Sequence, residues 1–129
     1  MDGLPVEEKT RADFASKKKA IDPEGNEVFT MHACGHDVHT TSLLGAAYIL
    51  DQTKDLWYGT MRLIFQPGEE RLPGGASVMV KEGVLENPVP NNIIGQHVFP
   101  DLPAGHVGMR DGMYMASADE IYLTINGKG

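Results

Sequence analysis

One short segment of the chain is unusually rich in side chains that bind metal ions. Residues 31–39 contain three histidines, the only cysteine and an aspartate. Cys34 and His36 are separated by one residue, so in an extended segment their side chains point to the same side and can share an ion. A divalent ion would hold the cysteine as thiolate. Thiolate and imidazole suit zinc, cobalt, nickel or manganese better than magnesium or calcium.

Two adjacent carboxylates form a second group of candidate residues. Glu69 and Glu70 follow the apolar run 60–66, which predicts a strand buried on both faces. Open α/β sheets place their ligand sites at the carboxyl ends of such strands. One carboxylate can bind metal while its neighbour transfers protons, although adjacent acids also occur in solvated loops. His97 lies near the end of the apolar run 92–98 and is either a further ligand or a structural histidine.

The elements that must position these groups alternate between strands and helices. Apolar spacing predicts helices over 38–52, with Asp37 or Thr40 as its cap, and over 76–85. Strands are predicted over four segments: 27–31, 60–66, 92–98 and, half exposed, 121–126. This order favours an α/β layer architecture with a largely parallel core sheet.

The strand and loop ends would present these side chains to one sheet edge, where two divalent ions could bind. Such ions would lower the pKa of a shared water toward about 7 and polarise a scissile carbonyl. Glu69 would take the proton of the water and deliver it to the leaving nitrogen. We therefore predict metal-dependent amide hydrolysis by a bridging hydroxide, with Glu69 as general acid/base.

Composition excludes several other classes of protein. A net charge of -7 and a pI near 5.1 argue against nucleic acid or an anionic membrane as partner. No stretch approaches the roughly 20 apolar residues of a membrane span, and no signal peptide is recognisable. The single cysteine cannot form an internal disulfide, so we expect a reducing, cytoplasmic location.

Several motifs occur in order along most of the chain. The main ones are CGHDVHT at 34–40, FQPGEE at 65–70, GGA at 74–76 and GQHV at 95–98. Shorter ones lie at 102–105, 110–112, 115–119 and 127–129. Together they resemble the amidohydrolase branch of the dinuclear metallopeptidase and aminoacylase family, which includes hippurate, N-acyl-amino-acid and auxin-conjugate hydrolases.

The resemblance implies a zinc-peptidase-like, three-layer α/β/α catalytic domain with an inserted ferredoxin-like lid that often dimerises. We expect residues 1–115 to form part of the catalytic domain and 116–129 the hinge and first strand of the lid. Family members are longer, so we expect this chain to be part of a longer, homodimeric protein. By itself the chain is expected to be marginally stable and to have little or no amidase activity.

The resemblance also assigns the site residues. Cys34 would be a thiolate bridging two metal ions, and Glu69 the general acid/base. The terminal ligands would be His36, Glu70 and His97. No other cofactor is implied, and the substrate would be an N-acyl amino acid or a small peptide.

Three further residues are expected near the site. Asp2 resembles part of a family segment beside the metals, with its role left open. Asp37 and His39 would orient ligands or cap the helix, or would only form local hydrogen bonds. His32 receives no role.

Two other functions compete with metal-dependent amide hydrolysis. In a cysteine hydrolase, Cys34 would be the nucleophile and His36 or His97 the base, which predicts sensitivity to alkylating reagents and indifference to chelators. In a metal-binding module without activity, the ligands would be present without the chemistry.

Overall fold

A computed structural model describes residues 2–116, 119 and 121–128. Its elements are β1 (Lys19–Ile21), β2 (Glu27–Phe29), α1 (His36–Gln52), a short 3-10 helix (Lys54–Leu56) and α2 (Gly75–Lys81). The chain divides into two compact units, Met1–Val98 and Phe99–Gly129. Every helix and strand, and every candidate site residue, lies in the first unit.

The two strands form an antiparallel hairpin in which Ala20 pairs with Val28. The strand predicted over 27–31 therefore begins as expected and ends at Phe29. Two residues later, Met31 forms an isolated bridge with Leu4, with backbone N–H···O distances of 2.8 and 3.1 Å. This bridge places the first residues of the chain beside the histidine- and cysteine-rich segment.

Hydrogen bonds to the Glu8 side chain stabilise the loop before β1. Its carboxylate accepts hydrogen bonds from the backbone N–H of Ser16 and the hydroxyl of Thr10, both at 2.7 Å. The Ser16 hydroxyl in turn donates to the Thr30 carbonyl at 2.7 Å, just after β2. The Ser16 N–H is the largest cause of a lowered pKa of Glu8, followed by the Thr10 hydroxyl.

The stability of this loop is expected to decrease at acidic pH. Because the pKa of Glu8 is lower in the folded state, its stabilising effect is present above the unfolded pKa and is lost as pH falls through the folded pKa. The amide NMR shift of Ser16 should titrate with a midpoint below that of an ordinary glutamate. Glu8→Gln should remove this titration. A midpoint at or above the ordinary value would contradict the assignment.

Helix α1 begins earlier than predicted, at His36. Its N-cap is Gly35, in the left-handed region with φ 79°, and no side chain caps it. The prediction that Asp37 or Thr40 caps the helix is therefore wrong. The Thr40 hydroxyl donates to the His36 carbonyl at 2.9 Å. Asp37 lies in the first turn, where the positive end of the helix dipole stabilises a negative charge.

Two faces of α1 are apolar. The predicted inward stripe is half-buried at Leu43, Ala47 and Leu50, whereas Ala46 is exposed. Leu44, Tyr48 and Ile49 lie elsewhere around the helix and are 55%, 69% and 62% exposed. A helix that is apolar on more than one side is typical of one covered by protein on both sides.

Helix α2 is shorter than the predicted 76–85 because a turn ends it at Lys81. Gly83 N–H donates to the Val80 carbonyl and Val84 N–H to the Met79 carbonyl, both at 3.0 Å, which is the pattern of a Schellman motif. The Arg62 guanidinium then binds carbonyl oxygens beyond the helix, which belong to Val84, Glu86 and Asn87.

The strands predicted over 60–66, 92–98 and 121–126 do not form, and neither does the parallel sheet, within the described part of the chain. A strand forms only when a neighbouring strand pairs with its backbone, and the sheet found among the described residues contains only β1 and β2. Burial on both faces, predicted for 60–66, is wrong as well, because Phe65 is 45% exposed. The last segment is fully rather than half exposed, with Leu123 80% accessible.

Among the described residues none is buried, and none of the helices is long and apolar enough to cross a membrane. The domain boundary at 115/116 and the lid domain stay predictions. Part of the 115–119 motif (Ser117 and Ala118) and part of the 127–129 motif (Gly129) lie outside the described residues, as do Met1 and Glu120.

Candidate metal centre

Three segments of the first unit bring the four predicted ligands together. They are the segment that leads into α1, with Cys34 and His36, the acidic loop before α2, with Glu69 and Glu70, and the segment ending at Val98. Cys34 Sγ lies 3.3 Å from His97 Nε2, although the two residues are 63 positions apart. His36 Nε2 lies 3.6 Å from Glu70 Oε1. We therefore find the predicted convergence of thiol, imidazole and carboxylate without the predicted sheet edge.

The donor atoms form two overlapping groups. In one, atoms of Cys34, His36 and His97 all lie within 4.8 Å of one another. In the other, the same holds for Asp2, His36 and Glu69. His36 belongs to both groups, and its Nε2 lies 3.7 Å from Glu69 Oε2. The arrangement offers a softer thiolate and imidazole group and a harder carboxylate group around one shared histidine.

Gly35 allows the loop before α1 to pack against Val98. Its φ of 79° is a conformation that other residues rarely adopt, and a Cβ there would lie 2.6 Å from Val98 Cγ2. This close approach keeps Cys34 and His97, the neighbours of these two residues in sequence, within reach of each other.

Gly75 likewise allows a close approach, here between the acidic loop and α2. A Cβ at this position would lie 1.7 Å from the Pro67 carbonyl oxygen, and Gly75 N–H donates to the Gly68 carbonyl at 3.0 Å. The loop that carries Glu69 and Glu70 is thereby seated on the first turn of α2. No sequence periodicity predicted this contact.

Asp2 holds the acidic loop from the other side. Its carboxylate accepts hydrogen bonds from the backbone N–H groups of Gly68 at 2.9 Å and Glu70 at 2.8 Å. The bond from Glu70 is the largest cause of a lowered pKa of Asp2; desolvation opposes it and the Gly68 bond adds to it. Asp2 therefore remains ionised and fixes the backbone on both sides of Glu69.

His32 is a contact residue that the sequence did not reveal. Its Nδ1 lies 2.7 Å from the Asp2 carbonyl oxygen and can donate to it. The signal that could have found it is the antiparallel pairing of Leu4 with Met31, which brings Asp2 close to His32. Such a bridge is not visible in a single sequence.

His39 lies beside two of the candidate ligands, with its ring centroid 4.4 Å from that of His97 and 5.4 Å from that of His36. Its Nε2 accepts a hydrogen bond from Val98 N–H at 3.0 Å, and its own carbonyl accepts one from the Gln96 side chain at 3.3 Å. Burial is the main cause of a lowered pKa of His39, and His97 and His36 lower it further. Asp37, by contrast, is exposed: its backbone carbonyl accepts a hydrogen bond from the Thr41 hydroxyl at 2.8 Å, and among the described residues its carboxylate makes no hydrogen bond or ion pair.

The electrostatics of the cluster fit a bound cation. Burial raises the pKa of the Cys34 thiol, and a hydrogen bond to Glu70 and the charges of Glu70 and Glu69 raise it further. The two carboxylates and the thiolate form of Cys34 are anions that repel one another at this distance. A divalent ion supplies the positive charge that stabilises them, and the neutral imidazoles can bind the same ion. The residues present are thus a chemically suitable set of metal ligands.

A cluster of thiol, imidazole and carboxylate side chains such as this one is typical of a metal-dependent hydrolase. The chain belongs to Peptidase family M20/M25/M40, whose family model matches residues 1–125. This confirms the family indicated by the motifs.

Curated relatives match over the whole chain. The chain is 43% identical to an N-acetylcysteine deacetylase of Bacillus subtilis over 100% of its own length and 31% of the relative. It is 43% identical to thermostable carboxypeptidase 1 of Saccharolobus solfataricus, over 100% of the chain and 30% of the relative. It is 41% identical to an N-acyl-L-amino acid amidohydrolase of Geobacillus stearothermophilus, over 100% and 32%. The chain thus spans less than a third of the length of these relatives, and no solved structure matches it.

Proposed function

We propose that this protein hydrolyses the amide bond of N-acyl amino acids or small peptides at a centre of two divalent metal ions. The observation that carries this proposal is that donor atoms of Cys34, His36 and His97 lie within 4.8 Å of one another, with Glu70 Oε1 3.6 Å from His36 Nε2. A thiol, two imidazoles and a carboxylate that meet in this way can hold divalent ions close enough to act on one substrate.

The ligand roles in this proposal are those that the family resemblance implies. Cys34 would bridge the ions as a thiolate, and the terminal ligands would be His36, Glu70 and His97. Zinc, manganese, cobalt and nickel suit this mixture. When bound, such ions supply Lewis acidity, which lowers the pKa of water and polarises a carbonyl.

Glu69 is proposed to move the proton. Its side chain is 60% exposed, whereas those of Glu70 and His36 are 27% and 13% exposed. The more accessible carboxylate can meet a water molecule and the leaving group, while the more enclosed one stays with the metal. Glu69 would accept the proton of the attacking water and deliver it to the nitrogen of the broken amide.

The substrate class follows from the names of the relatives. They are a deacetylase of N-acetylcysteine, an amidohydrolase of N-acyl-L-amino acids and a carboxypeptidase. Transferred to this protein, they favour a small acylated amino acid or peptide. A three-layer α/β/α catalytic domain, a ferredoxin-like lid and a homodimer belong to the same proposal. So does a cytoplasmic location, where a ligand thiol stays reduced.

The proposed function predicts hydrolysis that depends on metal. The protein at its full natural length should hydrolyse members of a panel of N-acyl amino acids and contain divalent metal by elemental analysis. A chelator should abolish turnover, and Zn²⁺, Mn²⁺ or Co²⁺ should restore it. Turnover that survives complete removal of metal would contradict the proposal.

One observation favours the cysteine-hydrolase alternative. The 3.3 Å between Cys34 Sγ and His97 Nε2 is the distance of a catalytic cysteine–histidine pair. However, the pKa of Cys34 is raised, whereas a nucleophilic cysteine needs a lowered one. Iodoacetamide should therefore modify the metal-free protein more slowly than free cysteine at neutral pH, and faster modification would support the alternative.

A further inference from the structure

The backbone N–H and the backbone carbonyl of Val98 are each hydrogen-bonded to a histidine. Its N–H donates to His39 Nε2 at 3.0 Å. On the other side, the Val98 carbonyl oxygen lies 2.7 Å from His97 Nδ1, which can only donate to it. A helix residue and a candidate ligand are thus connected through the backbone of one residue, Val98.

These bonds settle the roles of the ring nitrogens. A nitrogen that accepts a hydrogen bond carries no proton, so His39 uses Nε2 for Val98 and cannot offer that atom to a metal. His97 carries its proton on Nδ1, which leaves the lone pair of Nε2 directed at Cys34 Sγ, 3.3 Å away. A histidine ligand commonly has its second nitrogen bonded in this way.

Ring packing adds to the hydrogen bonds. The centroids of His39 and His97 are 4.4 Å apart with the planes at 66°. The Gln96 side chain also donates to the His39 carbonyl, at 3.3 Å. His39 is half-buried within α1, which gives it a fixed position from which to restrain the segment 96–98.

We propose that His39 is a positioning residue, which fixes the orientation of His97 toward Cys34 through the backbone of Val98. This role rests on the proposed metal site, in which His97 and Cys34 are ligands. His39 touches neither ion nor substrate in this arrangement. Its role is to hold His97 in the orientation in which His97 and Cys34 can bind the same metal ion.

The first test compares His39→Leu with His39→Gln in the full-length protein loaded with Co²⁺. Leucine removes the acceptor, whereas the glutamine Oε1 can take the place of Nε2. Leucine should weaken Co²⁺ affinity by about 10–100-fold, change the thiolate-to-cobalt absorption band and lower kcat more than KM. Glutamine should recover most of these properties. His106→Leu, at an exposed histidine of the other unit, is the matched control.

The second test needs no metal and no variant. In the metal-free, wild-type protein, NMR should detect a coupling across the hydrogen bond between the Val98 amide nitrogen and His39 Nε2. Absence of this coupling would overturn the inference, also in the event that His39→Leu fails to fold. Wild-type Co²⁺ affinity and an unchanged band in a folded His39→Leu would overturn it while leaving the proposed function intact. Failure of the wild-type protein to bind Co²⁺ would instead refute the metal site, and with it the role of His39 as a positioner of a ligand.

Discussion

Replacing Glu69 by glutamine is expected to abolish turnover while leaving metal bound. The amide keeps the size and hydrogen-bonding reach of the side chain but cannot accept a proton from water. Loss of general acid/base catalysis costs about 10²–10⁴-fold in rate. Because Glu70 rather than Glu69 is the proposed ligand, metal content should stay at the wild-type level.

The measurement pairs kcat on an N-acyl amino acid with elemental analysis, both at full natural length. Glu24→Gln, in the exposed hairpin turn, makes the same chemical change away from the site and should keep full activity. Loss of metal together with turnover would show that Glu69 is a ligand, as its place in the group with Asp2 and His36 allows. A wild-type protein that binds metal without turnover would instead be the inactive metal-binding module.

The residues of the site were more predictable than the backbone that carries them. Cys34 and His97 are far apart in sequence, yet residue type together with the motifs that contain them suggested a shared site, and their side chains meet. Ligand chemistry constrains residue type strongly, because few side chains bind a transition metal. The contact of Asp2 with the acidic loop was expected only as proximity, and its two backbone hydrogen bonds were not foreseen.

The predicted strands failed for a different reason. An apolar run such as 60–66 or 92–98 indicates that a segment needs to be covered, but it does not say by what. Ile94 is 93% exposed, so within the described residues its need for burial is unmet. Local patterns succeed where the element is self-contained, as in α1, whose backbone hydrogen bonds close within the helix. A sheet depends on neighbours that one segment cannot specify.

The close approach at Gly75 shows why geometry adds to residue type. The sequence predicted a helix from residue 76, and the helix begins one residue earlier, at Gly75. In space, the missing side chain of Gly75 is what admits the Pro67 carbonyl. The positions of Glu69 and Glu70 therefore depend on a residue that has no chemistry of its own.

Gly75→Ala is accordingly expected to impair the site without removing any of its donor groups. The added methyl would lie 1.7 Å from the Pro67 carbonyl oxygen, and the obstacle is backbone rather than a flexible side chain. The acidic loop must move, at a cost of about 1–3 kcal/mol in stability by analogy with overpacked cores. A displacement of roughly 1 Å in catalytic groups costs about 10²-fold in rate, so kcat should fall at least that far.

Gly45→Ala is the matched control for this prediction. Gly45 lies within α1, has no atom within 4 Å of an added Cβ and does not adopt a positive φ. The same substitution there should raise the free energy of unfolding by about 0.5–1 kcal/mol and leave kcat unchanged. Thermal unfolding, metal affinity and kcat measured for both variants separate the effects. Equal behaviour of the two alanine variants would show that the Pro67–Gly75 contact does not position the acids.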